Sequence, residues 1–283
     1  MPIIRNAMTI DVEDYFQVSA FAPYIPRDQW DSMPSRVERN VDLILGLLDN
    51  SDTKATFFAL GWIIERYPNV ARWIVDNGHE LASHGYGHQR ASELSPEAFR
   101  LDVVRAKHIL EDAAGIQIRG YRAPSFSITG RNRWALEILT ETGHVYSSSI
   151  YPVKHDHYGA PNAPRHPYRP NGKDGILELP PTTLPLFGRN LPAAGGGYFR
   201  LMPYRLSRWL LQQVNQREQL SCMFYFHPWE VDPDQPRPPG LNAKTRFRHY
   251  VNLKHMQGKL ARLLRDFSWD RVDRTFLVAE HSD

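Results

Sequence analysis

Short apolar runs alternate with helix-like stretches along most of the chain. Apolar segments of this length, ending in Gly, Pro or polar clusters, favour buried β-strands. The alternation predicts parallel strands joined by right-handed helical crossovers. Seven or eight such units favour an incomplete or distorted barrel, with an open doubly wound sheet as the alternative. The strand candidates are residues 7–11, 55–60, 80–83, 118–122, 145–149, 176–179, 223–226 and 275–278.

Helix candidates lie between these strands, and some carry recognisable end signals. Ser35 and Glu38 have the spacing of a capping box, and Ser95 before Pro96 is typical of a helix start. Three Pro- and Gly-rich stretches, at 151–175, 180–203 and 231–247, interrupt the alternation, and loops of that length are usually functional or disordered. The helix candidates are residues 35–49, 62–77, 96–114, 131–142, 204–217 and 249–266.

The composition is that of one globular domain and excludes some classes of protein. Of 283 residues, 42% are hydrophobic and 23% are charged, and we predict a single domain over 1–283. The net charge of +3, from 34 basic and 31 acidic residues, argues against a nucleic-acid partner, which needs a concentrated basic face. Cys222 is the one cysteine, so no intramolecular disulfide can form.

The amino-terminal segment MPIIRNAMTIDVED gives an expectation about location. A secretion signal needs an apolar stretch of about 7–15 residues, and Arg5 interrupts any such stretch here. No segment offers about 18 uninterrupted apolar residues, so no transmembrane segment is expected. We therefore expect a cytoplasmic protein, working at the inner membrane face if its substrate is lipid-linked.

Polar residues that can carry chemistry cluster directly after the strand candidates. In parallel α/β folds, sites are built at the carboxyl ends of the strands. The first cluster contains Asp11, Glu13 and Asp14. Three carboxylates within four residues repel one another unless a cation or an arginine neutralises some of them. A solvated acidic turn is the plain alternative.

A second cluster, SHGYGH, contains His84 and His88. Their four-residue spacing puts both imidazoles on one face of a helical turn, a geometry that suits metal chelation. Because the chain has 12 histidines, a chance pair of loop histidines is the alternative. The HDH run from His155 to His157 raises a second metal site, against a substrate-facing or solvated loop.

Two more strand candidates end at Arg122 and His227. Arg122, followed by the rigid Pro124 in YRAPSFS, can hold a carboxylate through two hydrogen bonds. His227, in FYFHPWE, can act as a general acid. Taken alone, each also has a plain interpretation, as a surface arginine and as a satisfied core histidine. Trp229 suits packing as well as it suits a sugar platform.

In their order along the chain, these clusters resemble the motifs of the polysaccharide deacetylase family, which includes chitooligosaccharide and peptidoglycan deacetylases. TIDVED matches its aspartate-rich first motif, SHGYGH the second, YRAPSFS the third, YSSSI the serine-rich fourth and FYFHP the last. This resemblance covers residues 9–228. GGGYFRLMPY, HPWEVDPDQPR and RFRHYVNL resemble the subfamily found with exopolysaccharide and exosortase gene clusters, which has its own carboxy-terminal extension, here from about residue 229.

The resemblance implies a distorted (β/α) barrel of about seven parallel strands and a divalent metal, usually zinc. It implies a hydrolase that removes N-acetyl groups from a polysaccharide or its precursor in exopolysaccharide biosynthesis. His84 and His88 would bind the metal with one carboxylate, and Asp11 would be the general base. Arg122 would orient Asp11, and His227 would protonate the departing amine. The implied partner is an N-acetylated glycan, and the oligomeric state stays open.

Two departures from the family pattern leave assignments open. The family has adjacent aspartates in its first motif, whereas here Asp11 and Asp14 are separated by Val12 and Glu13. Asp14 is the preferred metal ligand, with Glu13 as the alternative carboxylate. Tyr146 stands where the fourth motif usually has an aspartate, which weakens any role for the serines after it. The substrate-binding candidates are Tyr151, Trp229 and Pro124.

Two other functions compete with the deacetylase. One is a metal-free, allantoinase-like hydrolase of cyclic amides, and members of that type tend to lose the metal carboxylate. The other is a non-catalytic carbohydrate-binding protein on the same scaffold. Retention of both histidines and several acids favours the deacetylase.

Overall fold

A parallel sheet of eight strands forms the centre of the computed structural model, which describes residues 4–155 and 159–277. Within those ranges, seven strands follow one another in the order β10-β1-β2-β3-β4-β5-β6, and β9 also pairs with β1. A short antiparallel hairpin, β7–β8, lies outside the sheet. The strands are Arg5–Val12 (β1), Thr56–Ala59 (β2), Glu80–Ser83 (β3), Gly120–Tyr121 (β4), Tyr146–Ser147 (β5), Leu177–Glu178 (β6), Thr183–Leu186 (β7), Arg189–Pro192 (β8), Met223–Phe226 (β9) and Ser268–Asp270 (β10).

Helices cover the outside of this curled sheet, in the arrangement of a distorted, half-closed barrel. In the part of the chain that the structure describes, none of them combines the length and the apolar character needed to cross a membrane. The helices are Val37–Asp49 (α1), Gly61–Arg66 (α2), Pro68–Asp76 (α3), Pro96–Ala114 (α4), Trp134–Glu141 (α5), Gly196–Leu201 (α6), Tyr204–Gln212 (α7), Ala243–Tyr250 (α8) and Met256–Asp266 (α9).

The period-two alternation of β1 divides the core into two layers. Met8, Ile10 and Val12 pack into the large apolar cluster beneath the helices. Ala7 belongs to a smaller cluster on the other face, where the polar side chains of Thr9 and Asp11 are also buried. Successive residues of a strand point to opposite faces, so β1 presents apolar side chains to the helices and polar side chains to the barrel interior.

The alternation of strands and helices predicted from the sequence is confirmed, and so are some helix ends. Helix α4 begins as expected, because the Ser95 hydroxyl accepts the Ala98 N–H at 3.2 Å. It ends at Gly115, whose φ of 67° is the left-handed conformation that glycine adopts without strain.

Two long helix predictions were wrong because each helix is divided in two, whereas a third is confirmed in its extent and changes helix type in its last turn. The helix predicted over 62–77 is divided into α2 and α3 at Pro68, which lacks an N–H and starts the second helix. The helix predicted over 249–266 is divided into α8 and α9, with Asn252 in the left-handed region at φ 55°. The helix predicted over 204–217 continues beyond α7 as a π-helical turn, Gln213–Glu218.

One strand prediction and one loop prediction also need correction. Residues Asp273–Leu277 form a π-helical turn instead of the last strand predicted at 275–278, and residue 278 lies outside the described residues. The strand is β10, which comes just before and pairs with β1 from Arg5 to Ala7. The predicted loop 180–203 contains β7 and β8, joined by Phe187 and Gly188, both at positive φ as tight hairpin turns require.

Glu178 on β6 generates a prediction about stability. Burial raises its pKa from 4.5 to about 7. Between these two pH values, the Glu178 carboxyl group therefore stays protonated in the folded protein and is ionised in the unfolded chain. This stabilisation is fully present below pH 4.5 and disappears as pH rises through 7. Glu178→Gln cannot titrate, and its amide oxygen can still accept the N–H groups of Ser149 and Ile150. Urea unfolding should show a fall in unfolding free energy between these pH values that is smaller by about 3 kcal/mol than in the wild type. An unchanged pH profile would contradict the raised pKa.

Candidate active site

Arg122 directly follows β4 and lies wholly buried at the centre of the barrel. Its Nη1 donates to Asp11 Oδ1 at 2.6 Å and to Thr9 Oγ1 at 2.9 Å. Its Nη2 turns to Ser148 Oγ at 3.0 Å, so the expected two-pronged grip on one carboxylate does not form. The guanidinium carbon also lies 4.1 Å from the ring centroid of Phe58. These contacts fix Arg122 rigidly, and Arg122 in turn fixes the carboxylate of Asp11.

The backbone of Arg122 orients the first histidine. His84 Nδ1 lies 2.8 Å from the Arg122 carbonyl oxygen. A carbonyl can only accept, so Nδ1 carries the proton and the lone pair of Nε2 is left for a metal. Burial lowers the pKa of His84 to about 4, which keeps the ring neutral at physiological pH. Both features are those of a metal ligand.

The loop from His84 to His88 is bent and not the helical turn that the sequence predicted. Gly85 and His88 both lie in the left-handed region, at φ 75° and 53°. Asp102 on α4 holds the loop by accepting the Tyr86 N–H at 2.9 Å, and a Cβ on Gly85 would lie 2.7 Å from its Oδ2. The bend still brings the two imidazoles together, with centroids 5.4 Å apart.

Glu13 completes a three-residue group that can hold a metal ion. One ligand atom each from Glu13, His84 and His88 lies within 4.8 Å of the others. Glu13 Oε2 is buried without a hydrogen-bond partner, yet it lies 2.7 Å from His88 Nε2. A cation bound between Glu13 Oε2 and His88 Nε2 would explain why these two atoms lie so close together. It would also satisfy the buried carboxylate oxygen. Burial raises the pKa of Glu13, but His88 and His227 outweigh burial and hold that pKa below its usual range.

Asp14, the ligand preferred from the sequence, is engaged elsewhere. Its Oδ2 accepts the N–H groups of Arg36 and Val37, at 2.7 and 3.1 Å, and the Ser35 hydroxyl at 2.8 Å. The Asp14 carboxylate therefore caps the start of α1, although it lies far from that helix in the sequence. This cap replaces the predicted capping box between Ser35 and Glu38. The geometry thus favours the alternative carboxylate for the metal.

His227 follows β9 and faces the same group of carboxylates. Its Nε2 lies 3.9 Å from Asp11 Oδ2 and 3.7 Å from Glu13 Oε1. Burial lowers the pKa of His227, but Glu13, Glu230 and Asp11 outweigh it and raise the pKa to about 9. A cation bound at Glu13 would weaken this effect, because it shares the same carboxylate. With its side chain 20% exposed, His227 can present a proton to a bound molecule.

The three residues predicted to bind substrate are covered. Trp229 is 5% exposed and Tyr151 is 1% exposed, and Pro124 is also buried. Trp229 instead donates its Nε1–H to Glu13 Oε1 at 3.0 Å and stacks on His227 with centroids 5.2 Å apart. These side chains therefore do not form an open sugar platform. Trp229 instead holds Glu13 and His227 in place.

The second metal site suggested by the HDH run stays a prediction. His155 is described, but residues 156 and 157 lie outside the described residues. Across 4–155 and 159–277, the group with metal-ligand geometry is the one formed by Glu13, His84 and His88.

Sequence reasoning missed three contributors to this site. Ser148 holds Arg122 through both its hydroxyl and its carbonyl group, and the serine-rich YSSSI segment was the available signal. Glu230 contacts His227, and its position three residues after that histidine was a weak signal. Arg200 contacts Glu230; it lies in the GGGYFRLMPY segment that resembles a subfamily, but no sequence pattern assigned it a role.

Comparisons with known proteins agree with this arrangement. Residues 29–146 match the family model for polysaccharide deacetylases, and residues 148–277 match a domain of unknown function. Over 95 residues the chain is 32% identical to a peptidoglycan-N-acetylglucosamine deacetylase of Bacillus cereus, which is 33% of this chain and 34% of that protein. Over 113 residues it is 26% identical to a peptidoglycan deacetylase of Helicobacter pylori, covering 40% and 38% of the two chains.

The chain therefore contains a polysaccharide deacetylase domain over residues 29–146, as its sequence motifs predicted. It spans only about a third of the length of these curated relatives. Within the family, the matched region 29–146 contains His84, His88 and Arg122, whereas Asp11 and Glu13 precede it and His227 lies in the second region.

Solved structures show the same fold as this chain. A Mycobacterium smegmatis protein assigned to the polysaccharide deacetylases superposes with a TM-score of 0.62 at 19% identity, covering 99% of this chain and 91% of that one. A CE4 family pseudoenzyme from Bacillus anthracis superposes at 0.50 with 14% identity, covering 96% and 65%. These superpositions establish the barrel fold. Identities this low say nothing about activity, which has to be inferred from the site itself.

The metal group gives a first prediction. Purified protein supplied with zinc should contain about one metal ion per chain, and His84→Ala and His88→Ala should each lose it, because each removes one of three ligands. Metal analysis by mass spectrometry measures this, with circular dichroism as the control for folding. A wild-type protein that stays metal-free in excess zinc would overturn the site.

Glu13 and Asp14 give a second prediction, which separates metal binding from capping. Glu13→Gln should lose the metal and keep its fold, because the amide oxygen can still accept from Trp229. Asp14→Ala should retain the metal and lose about 1–3 kcal/mol of stability, because it removes the cap of α1. Zinc titration and urea unfolding distinguish the two, and the reverse pattern would restore Asp14 as the ligand.

Proposed function

We propose that this chain is a metal-dependent hydrolase that removes N-acetyl groups from an N-acetylated glycan. The observation that supports this most directly is the grouping of Glu13, His84 and His88 beside Asp11 and His227. A cation site, a carboxylate base and a protonated imidazole then share the carboxyl edge of one sheet, where parallel α/β folds build their sites.

The ligand set fits a divalent metal, with zinc as the best match. Two imidazoles and one carboxylate are a common set in zinc hydrolases, which keep a further position open. When bound, such a metal lowers the pKa of water towards about 7 and polarises a carbonyl oxygen. The buried, unsatisfied Glu13 Oε2 gives the chain a specific reason to bind a cation there.

The proton transfers fall to Asp11 and His227. Asp11, fixed by Arg122, would take a proton from the attacking water as its oxygen bonds to the acetamide carbon. As the carbon–nitrogen bond breaks, its electron pair goes to nitrogen, and His227 Nε2 would supply the proton. An amide nitrogen leaves poorly as an anion, so this proton is essential. The products are acetate and a free amino sugar.

The substrate class rests on the relatives. The similar proteins include peptidoglycan deacetylases and a chitooligosaccharide deacetylase of Azorhizobium caulinodans, so we propose an N-acetylated glycan of the peptidoglycan or chitooligosaccharide type. A role in exopolysaccharide biosynthesis is supported by the resemblance of the carboxy-terminal segments alone. We also propose that 1–283 is one domain with a carboxy-terminal extension, because β9 and β10 pair directly with β1.

Two alternatives are less well supported. A metal-free, allantoinase-like hydrolase has no use for the buried Glu13 oxygen or for the unprotonated Nε2 of His84. A non-catalytic binding protein has no use for a partly exposed His227 with a raised pKa beside Asp11. Turnover of allantoin at a rate comparable to that of a glycan would favour the first.

The test is acetate release from N-acetylated chitooligosaccharides by the zinc-loaded protein. We expect turnover in the wild type and a loss of about 100- to 10,000-fold in His227→Ala, because the general acid is removed. Metal content should be unchanged in that variant. A wild type that holds zinc and releases no acetate from these or from peptidoglycan fragments would refute the proposal.

A further inference from the structure

His227 is held by two buried charged residues from the carboxy-terminal region. We propose that Glu230, locked in place by Arg200, is the positioning residue that aims His227 at the reacting amide. This inference rests on the deacetylase function proposed above. It gives a specific task to the matched domain of unknown function, residues 148–277, which contains all three residues.

Glu230 accepts two hydrogen bonds from His227, one from its backbone and one from its ring. The turn Pro228–Val231 folds the chain back, so that Glu230 Oε1 lies 2.7 Å from His227 Nδ1 and also accepts the His227 backbone N–H at 3.0 Å. A carboxylate accepts from Nδ1–H, so the proton on that nitrogen is committed to Glu230. The other nitrogen, Nε2, then points towards Asp11 and Glu13 and is the one free to transfer a proton.

Arg200 fixes Glu230 on its far side. Arg200 Nε donates to Glu230 Oε2 at 2.6 Å, and both side chains are almost completely buried. The guanidinium also donates to the carbonyl oxygens of Arg248, His249 and Val251, at 3.1, 2.6 and 3.0 Å. These carbonyls lie at the end of α8, where helices leave acceptors unsatisfied. Arg200 is therefore anchored at both ends, and Glu230 has little freedom to move.

No carboxylate from the fourth motif lies in this position. Tyr146, which stands where the family usually has an aspartate, points its hydroxyl to Glu80 Oε1 at 2.9 Å, at the start of β3. That is the opposite end of the strand from His84. In this chain the carboxylate that contacts His227 Nδ1 belongs to Glu230, 84 residues after Tyr146.

The packing around Glu230 excludes water from the pair. A Cβ added to Gly196 would lie 3.5 Å from Glu230 Oε1 and 3.4 Å from the Tyr225 ring. Trp229 covers His227 by stacking on it, with the two rings inclined by 17°. In such a dry environment a charge-assisted hydrogen bond is stronger than in water, and the ring it orients is held in one position.

The test compares an amide with an activated ester in Glu230→Gln. An aryl acetate loses its phenolate without a proton, whereas the N-acetyl glycan requires one. We expect the kcat for the glycan to fall on the order of 10- to 100-fold, with KM and metal content unchanged within about twofold. Hydrolysis of the aryl acetate should stay within about twofold of wild type. The matched control is Glu80→Gln, the same change at a buried glutamate distant from His227, which should leave both rates unchanged.

A spectroscopic measurement is independent of activity. The wild type should show a downfield imidazole N–H resonance in its proton NMR spectrum, absent in His227→Ala, that shifts upfield in Glu230→Gln. If Glu230→Gln does not fold, because it leaves Arg200 buried without its partner, the double variant Arg200→Gln/Glu230→Gln removes both charges and replaces it. Glu230→Asp should recover part of the lost rate.

The outcomes separate the two proposals. Equal losses on amide and ester, or no loss on either, would show that Glu230 does not act through His227. An unchanged N–H resonance in the variant would do the same. If the wild type deacetylates no glycan, the proposed function is wrong, and the resonance alone then decides whether Glu230 positions His227.

Discussion

The buried ion pair between Arg122 and Asp11 is the constraint on which the rest of the site depends. A charge in the interior is tolerated only when it is paired and fully hydrogen-bonded. Arg122 meets that requirement by drawing on groups from separate strands, among them Thr9, Ser148 and the ring of Phe58. Because its carbonyl also orients His84, one residue sets the direction of both a base and a ligand.

The site is assembled from two regions of the chain that meet at β1. Residues 29–146, which match the deacetylase family model, provide Arg122 with His84 and His88. Residues 148–277, which match the domain of unknown function, provide His227 with Glu230 and Arg200. Trp229 joins them, because it donates to Glu13 on one side and stacks on His227 on the other. The group that would hold the cation and the group that would supply the proton are thus fixed relative to each other by a single indole.

The sequence located the site well and its supports poorly, for a physical reason. His84, Arg122 and His227 were identifiable because each directly follows an apolar strand, and parallel strands collect their carboxyl ends at one edge. The choice between Glu13 and Asp14 depends on where the start of α1 packs, which no local pattern contains. The role of Arg200 could not be predicted for the same reason, since its partners come from separate parts of the chain. Of the two interpretations that the sequence left open for Trp229, packing or a sugar platform, the structure favours packing, because the ring is stacked between two histidines.

The sheet order also bears on how the protein is made. Strand β1 precedes its partners β9 and β10 by roughly 200 residues or more, so it is synthesised well before them. Translation adds about 5–20 residues per second, so the edge of β1 that pairs with β9 and β10 must wait on the order of ten seconds or more, although its other edge can pair with β2 much sooner. During that time its exposed edge is open to pairing with other chains. We therefore expect the nascent chain to depend on holding chaperones far more than the finished protein does.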